Sequence, residues 1–256
     1  MDDGAERVLT WNVQGARGLD LARAAAVFRS VAPDVVALQV VQRRQASALA
    51  VALALPSRRW AFKHWPVVTR AEGLAVLSRH PMATAAFPLR RRPFWDWRRR
   101  IGLDASVAIG ERCIGVLDVH LSPHDEADGL RRREAAIALA RTGDRAPAPL
   151  IVGDLNDLPD RGAHTALVAG GWVDCWRAVH GDDESGTGAT NWTSGPRLGR
   201  PPTQRLDYVL APPGSHVLAC DVVVEPCRLE ELAELSDHLP LVAAVVLPDG
   251  TGAGGR

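Results

Sequence analysis

Short apolar runs rich in β-branched residues recur along the 256-residue chain, separated by polar, glycine- or proline-marked breaks. Runs of this kind predict strands. They cover Val8–Val13, Val35–Leu38, Leu74–Leu77, Ile101–Ile109, Ile114–Leu121, Leu150–Val152, Leu206–Leu210, Val217–Val224 and Leu241–Val246. Leu21–Ser30, Gln42–Ala54 and Glu126–Arg141 read instead as helices. The last sets Leu130, Ala138 and Leu139 among arginines, with Asp125 as its expected N-cap. Helical crossovers alternate irregularly with direct strand-to-strand runs. That order predicts packed sheets carrying outer helices, not a regular doubly wound fold.

A chain of this length is expected to form one domain over residues 1–247, followed by a frayed glycine-rich tail, 248–256. Gly181 to Pro202 reads as a long loop. Formal net charge is zero, and Lys63 is the only lysine among the 30 basic residues. A strong non-specific polyanion binder would show a basic surplus, and none exists globally. Cys113, Cys175, Cys220 and Cys227 form no C-x-x-C pair and are expected to be buried free thiols in a reducing compartment. The acidic start carries no charged-then-apolar leader, and no apolar run approaches membrane-spanning length. A cytoplasmic monomer without a membrane anchor is expected.

Several of the strands end in polar residues able to bind metal or move protons. Asn12 closes the first. His120 closes Ile114–Leu121, and Leu150–Val152 runs into Asp154 and Asn156. Asp207 interrupts an otherwise apolar strand, and Asp237-His238 precedes the last one. Three carboxylates, two amides and two histidines suit phosphoester hydrolysis. A hard divalent ion takes oxygen ligands, a carboxylate orients water, and a histidine donates to a phosphoryl oxygen. Each residue alone has a plainer reading: Asn12 as a turn cap, Asp154-Leu155-Asn156 as an Asx-turn, His120 as a hydrogen-bonded core residue. Asp207 is harder to dismiss, because a carboxylate within an apolar strand needs a partner.

The ordered motifs TWNVQG (Thr10–Gly15), DVVALQVVQ (Asp34–Gln42), GLAVLSRHPM (Gly73–Met82), DVHLS (Asp118–Ser122), GDLND (Gly153–Asp157), RLDYVL (Arg205–Leu210) and SDHLP (Ser236–Pro240) resemble those of the endonuclease/exonuclease/phosphatase superfamily. The resemblance covers nearly the whole chain. It implies an α/β (α+β) four-layer sandwich, two packed mixed β-sheets flanked by helices as in deoxyribonucleases. It implies a metal-dependent phosphodiesterase or nuclease-type hydrolase. Asn12 and Asp237 would then bind Mg²⁺ (or Mn²⁺), and His120 would contact the scissile phosphate. Asp154 would position or activate water, Asn156 would steady it, and Asp207 would orient His238, which stabilises the transition state.

The chain departs from the pattern at Val40, where the family's L-Q-E-V carries its principal metal-binding glutamate. Valine offers no lone pair, so metal affinity is expected to fall. The site works through Asp237, Asn12 and Asp154 with substrate present, or another acid such as Glu72 substitutes, or the protein is a pseudoenzyme that binds a phosphoester or nucleic acid without cleaving it. Retention of both histidines and the other acids favours activity. For substrate contacts, Arg90–Arg100 interleaves arginines with Phe94, Trp95 and Trp97, either as a phosphate clamp with stacking platforms or as a solvated surface loop. Arg100 is the best phosphate contact of that stretch. Trp192 either stacks on substrate or packs. The substrate class stays open among nucleic acid, nucleotide and phosphorylated metabolite.

Overall fold

The computed structural model describes residues 4–64, 71–90, 100–123, 128–143, 148–181, 188–192 and 200–248. The first sheet contains β1 (Glu6–Asn12), β2 (Val35–Val41), β3 (Ser57–His64), β4 (Glu72–Ser78), β11 (His216–Val222) and β12 (Leu241–Val246), in the order β11-β12-β1-β2-β4-β3. The second contains β5 (Met82–Pro88), β6 (Ile101–Ile109), β7 (Arg112–His120), β8 (Leu150–Asp154), β9 (Val173–Asp174) and β10 (Asp207–Ala211), in the order β5-β6-β7-β8-β10-β9. Each sheet is mixed, with β1–β2 and β7–β8 as its parallel pair. The helices are α1 (Leu21–Val31), α2 (Arg43–Ala52), α3 (Asp128–Thr142), α4 (Gly162–Ala169), α5 (Cys175–His180) and α6 (Leu229–Leu235).

Side chains alternate across a strand, so each sheet builds two apolar faces. Val8, Val35, Ala37, Leu74 and Val76 meet Leu103, Val116, Val152 and Val209 between the sheets. Leu9, Trp11, Val36 and Leu38 face outward against Phe28 of α1, Leu49 of α2 and Leu232 of α6. Leu117, Ile151 and Leu210 face Ala135 and Ala138 of α3 and Leu167 of α4. The result is the expected four layers, helix–sheet–sheet–helix.

The elements read from sequence are present with shifted ends. β3, β5, β9, α4, α5 and α6 were not legible there. Asp125 and Glu126 lie outside the described residues, and α3 begins at Asp128. The thiols differ from expectation. All four are free, but only Cys175 and Cys220 are buried, whereas Cys113 is exposed and Cys227 half-buried. No helix among the described residues is long and apolar enough to cross a membrane.

Candidate active site

Strand periodicity places the polar strand ends. In β1 the inward row runs Val8, Thr10, Asn12; in β7 it runs Val116, Asp118, His120; in β8, Leu150, Val152, Asp154; in β10, Asp207, Val209, Ala211. Each polar group therefore continues a row that is apolar deeper between the sheets. Register then aligns them. Asp154 pairs with His120 in the parallel β7–β8 ladder and with Asp207 in the antiparallel β8–β10 ladder. The close approach depends on Gly153, whose φ is +126° and where an added Cβ would lie 2.0 Å from the Val119 carbonyl oxygen.

One carboxylate is the focus. Asp154 Oδ2 accepts from Asn12 Nδ2 at 2.9 Å, and lies 3.6 Å from His120 Nε2 and 3.8 Å from His238 Nε2. Its Oδ1 accepts from the Asn156 backbone N–H at 2.8 Å. The Asx-turn read from the sequence is thus real, and it orients the same carboxylate. Asn156 Nδ2 donates to the Leu121 carbonyl at 3.1 Å. Asp154 is 1% exposed and Asp207 is fully buried. Burial raises the Asp154 pKa; His238 opposes that and Asp207 adds to it.

His238 is anchored by its backbone. Its carbonyl accepts from Trp11 Nε1 at 2.8 Å, and its N–H donates to Ser236 Oγ at 3.1 Å. Ser236 Oγ donates in turn to the Asn12 carbonyl at 2.6 Å. The ring Nδ1 lies 2.7 Å from Asp207 Oδ2. Burial works against a charged ring here, but Asp207, Asp154 and Asp237 outweigh it, and the imidazole is pushed up to about 10. That direction favours the cationic ring, which is suited to stabilising charge on a phosphoryl oxygen.

Asp154, Asp207 and His238 offer ligand atoms within 4.8 Å of one another. His238 Nδ1 is nevertheless committed to Asp207, so the trio is first a hydrogen-bonded relay. A hard cation finds better donors beside it. Asp237 Oδ1 is a buried oxygen without a hydrogen-bond partner, 3.8 Å from His238 Nε2. Asn12 Oδ1 accepts only a 3.3 Å bond from the Gln14 N–H among its hydrogen bonds here. Oxygens of this kind are what a divalent ion that keeps several waters takes as ligands. Val40 adds none. It sits half-buried at the β2 bulge, one residue beyond the Asn12–Gln39 pair, with φ +53°.

Two further residues were not singled out from sequence. Lys63, inward-facing on β3, places Nζ 2.9 Å from His120 Nδ1. Gln39 links the sheets beneath the site, donating to Thr10 Oγ1 at 3.0 Å and Asp118 Oδ1 at 2.7 Å. Glu72 is buried and acts electrostatically on Lys63. Trp192 is 5% exposed and packs in the outer core; its Nε1 donates to the Arg200 carbonyl, and its backbone N–H to that of Asp237. Arg100 is buried and lines a cavity of about 650 Å³ between the β3 and β5 edges, together with Trp60, Phe62, Phe87 and Arg90. Phe94, Trp95 and Trp97 lie outside the described residues.

The profile of the Endonuclease/Exonuclease/phosphatase family matches residues 9–238. The chain belongs to that family. Members of the endonuclease/exonuclease/phosphatase family are generally divalent-metal-dependent phosphoester hydrolases, and the geometry above is compatible with that chemistry. No curated protein matches the chain by sequence. Among solved structures, an endonuclease/exonuclease/phosphatase from Beutenbergia cavernae is similar over 96% of this chain and 72% of its own, at 27% identity and a TM-score of 0.77. A family protein from Leptotrichia buccalis is 18% identical, covering 94% and 99%, with a TM-score of 0.73. TDP2 from D. rerio, complexed with a single-strand DNA product, is 18% identical over 95% and 99%, with a TM-score of 0.69. The last two likenesses are of fold.

Proposed function

We propose that the protein is a phosphodiesterase of nuclease type, using Mg²⁺ or Mn²⁺ bound more weakly than a glutamate at position 40 would allow. The observation that carries this reading is the convergence of Asn12, His120 and His238 on Asp154 Oδ2. A carboxylate held on both oxygens by neutral donors is a ready acceptor for a water proton. Asp154 takes that role, and Asn156 steadies the turn that aims it. His120 contacts a non-bridging oxygen. His238, held charged by Asp207, stabilises the negative charge that builds up on the phosphoryl group. Asp237 and Asn12 would hold the cation, which when bound neutralises phosphate charge and the leaving oxygen.

Arg100 and the aromatic-lined cavity support a substrate with a planar group beside its phosphate, such as a nucleotide or short single strand. Trp60, Phe62 and Phe87 offer ring surface, and Arg90 and Arg100 supply charge. Trp192 enters the reading only through its backbone bond to Asp237. Neutral net charge argues against tight, salt-sensitive duplex binding. A cytoplasmic monomer is the expected setting.

Hydrolysis of bis-p-nitrophenyl phosphate under titration with Mg²⁺ and Mn²⁺ tests the reading. Metal-stimulated turnover that is lost in Asp154→Ala and His238→Ala is expected. Inertness with every divalent ion would refute it. Val40 motivates one alternative, a phosphoester-binding pseudoenzyme, for which activity would emerge only in Val40→Glu.

A further inference from the structure

Lys63 stands alone as a lysine in a chain whose other basic residues are all arginine. It follows Ala61 on the inward row of β3 and is 1% exposed. A buried amine is costly unless its hydrogens meet acceptors. The nearby acceptor is His120 Nδ1, 2.9 Å from Nζ. The other ring nitrogen, Nε2, lies 3.6 Å from Asp154 Oδ2.

A neutral imidazole carries one N–H and one lone pair, and the partner of one nitrogen decides which nitrogen has the proton. Asp154 already accepts on both oxygens, from Asn12 Nδ2 and the Asn156 N–H, so it faces Nε2 as an acceptor. Both ends of the ring are satisfied by one arrangement. Nδ1 turns its lone pair to an N–H of Lys63, and Nε2 points its proton into the site. An ammonium can only donate to Nδ1; a neutral amine could also accept there, and the Asp154 carboxylate facing Nε2 is then what keeps the ring proton on Nε2. Burial pulls the Lys63 pKa well below its usual value, Arg100 acts the same way, and Asp154, Glu72 and Glu134 oppose them.

We propose that Lys63 is a positioning residue that fixes His120 as its Nε2–H tautomer, so that the ring offers the phosphoryl oxygen a proton donor and not a lone pair. The proposal rests on the phosphoester reading of the site. No bond at Lys63 breaks; His120 donates a hydrogen bond through Nε2 and stays neutral. A carboxylate at the place of Lys63 would accept from Nδ1–H and impose the opposite tautomer.

Long-range ¹H–¹⁵N spectra of ¹⁵N-histidine-labelled protein, without substrate and with His120 assigned by His120→Gln, test it directly. In the wild type, Nδ1 should resonate as an unprotonated ring nitrogen and Nε2 as a protonated one. In Lys63→Met both should move towards the averaged positions of exchanging tautomers. With bis-p-nitrophenyl phosphate, kcat should fall roughly 10- to 100-fold, short of the ~10²–10⁴ lost with an acid–base group itself, and KM should hold. A wild-type spectrum showing Nδ1–H, or His120 shifts unchanged in Lys63→Met, would overturn the proposal. The wild-type spectrum decides even if the variant misfolds. Because it needs no turnover, an inert protein would count against the hydrolytic reading and not against the tautomer.

Discussion

Asp154 and Asp207 face each other across the β8–β10 ladder, and His238 stands between their carboxylates, with Nδ1 2.7 Å from Asp207 and Nε2 3.8 Å from Asp154. Two buried like charges repel, and a cationic ring between them relieves the repulsion. Asp207→Asn removes the negative charge that favours the cationic His238 ring, leaving only a neutral amide to orient it. Turnover of bis-p-nitrophenyl phosphate should fall by roughly 10²–10⁴. Asp154→Asn should fall comparably, and the double variant little further, because groups acting as a unit are not additive. Additive losses would separate the two roles.

Val40 is a β-branched residue at φ +53°, a conformation that costs about 1–3 kcal/mol. Val40→Gly should relieve the strain and gain about 1 kcal/mol net of its greater unfolded-state entropy, a rise in Tm of about 2–4 °C. It should not improve metal use. Val40→Glu should lower the Mg²⁺ concentration needed for half-maximal rate. Calorimetry and metal titration on both variants separate backbone strain from the missing ligand.

Asp118 is fully buried, with Oδ1 accepting from Gln39 and Oδ2 without a partner. Burial pushes its carboxyl well above the usual range, against the Gln39 bond and Lys63. A raised folded pKa gives stability that is complete below the unfolded value, about 3.9, and is lost as pH rises through the folded one. Asp118→Asn, which mimics the protonated acid, should abolish that decline in urea titrations above about pH 4. It should also equal or exceed wild type at pH 7. A steep loss of stability in the variant would show that the charged form is the native one.

Asp174 shows the opposite sign. Burial alone would raise its pKa, but His164 Nε2 at 3.0 Å and Arg205 Nη1 at 2.8 Å outweigh burial and lower it. Its stability contribution is present above the unfolded value and lost as pH falls through the folded one. Asp174→Asn should flatten the acid limb of the unfolding curve. It should also cost about 3–5 kcal/mol at pH 7, because Arg205 is left buried without its counterion.

The central strands were legible because their apolar residues are buried on both faces. The edge strands β3 and β5 lack that signal, whereas the edge strand β11 carries enough β-branched residues to be read as Val217–Val224. β3 reads SRRWAFKH and β5 MATAAFP, and one of each strand's flanks has no neighbouring strand to bury it. The polar strand ends were legible as a set, and their order identified the family. Lys63 was not, since its meaning depends on β3, an edge strand that apolar pattern does not reveal; its status as the sole lysine was the available clue. Gln39 and Asp118 look like ordinary motif residues until the sheets are stacked. The left-handed backbone of Val40 leaves no mark in sequence at all.

Because His120, Asp154 and Asp207 ride on three adjoining strands, main-chain hydrogen bonds set their spacing, not the loops that meet a ligand. Those loops can diverge in length and composition while the reacting groups stay in place. Selectivity and reactivity are therefore separable properties of this scaffold, open to change one at a time.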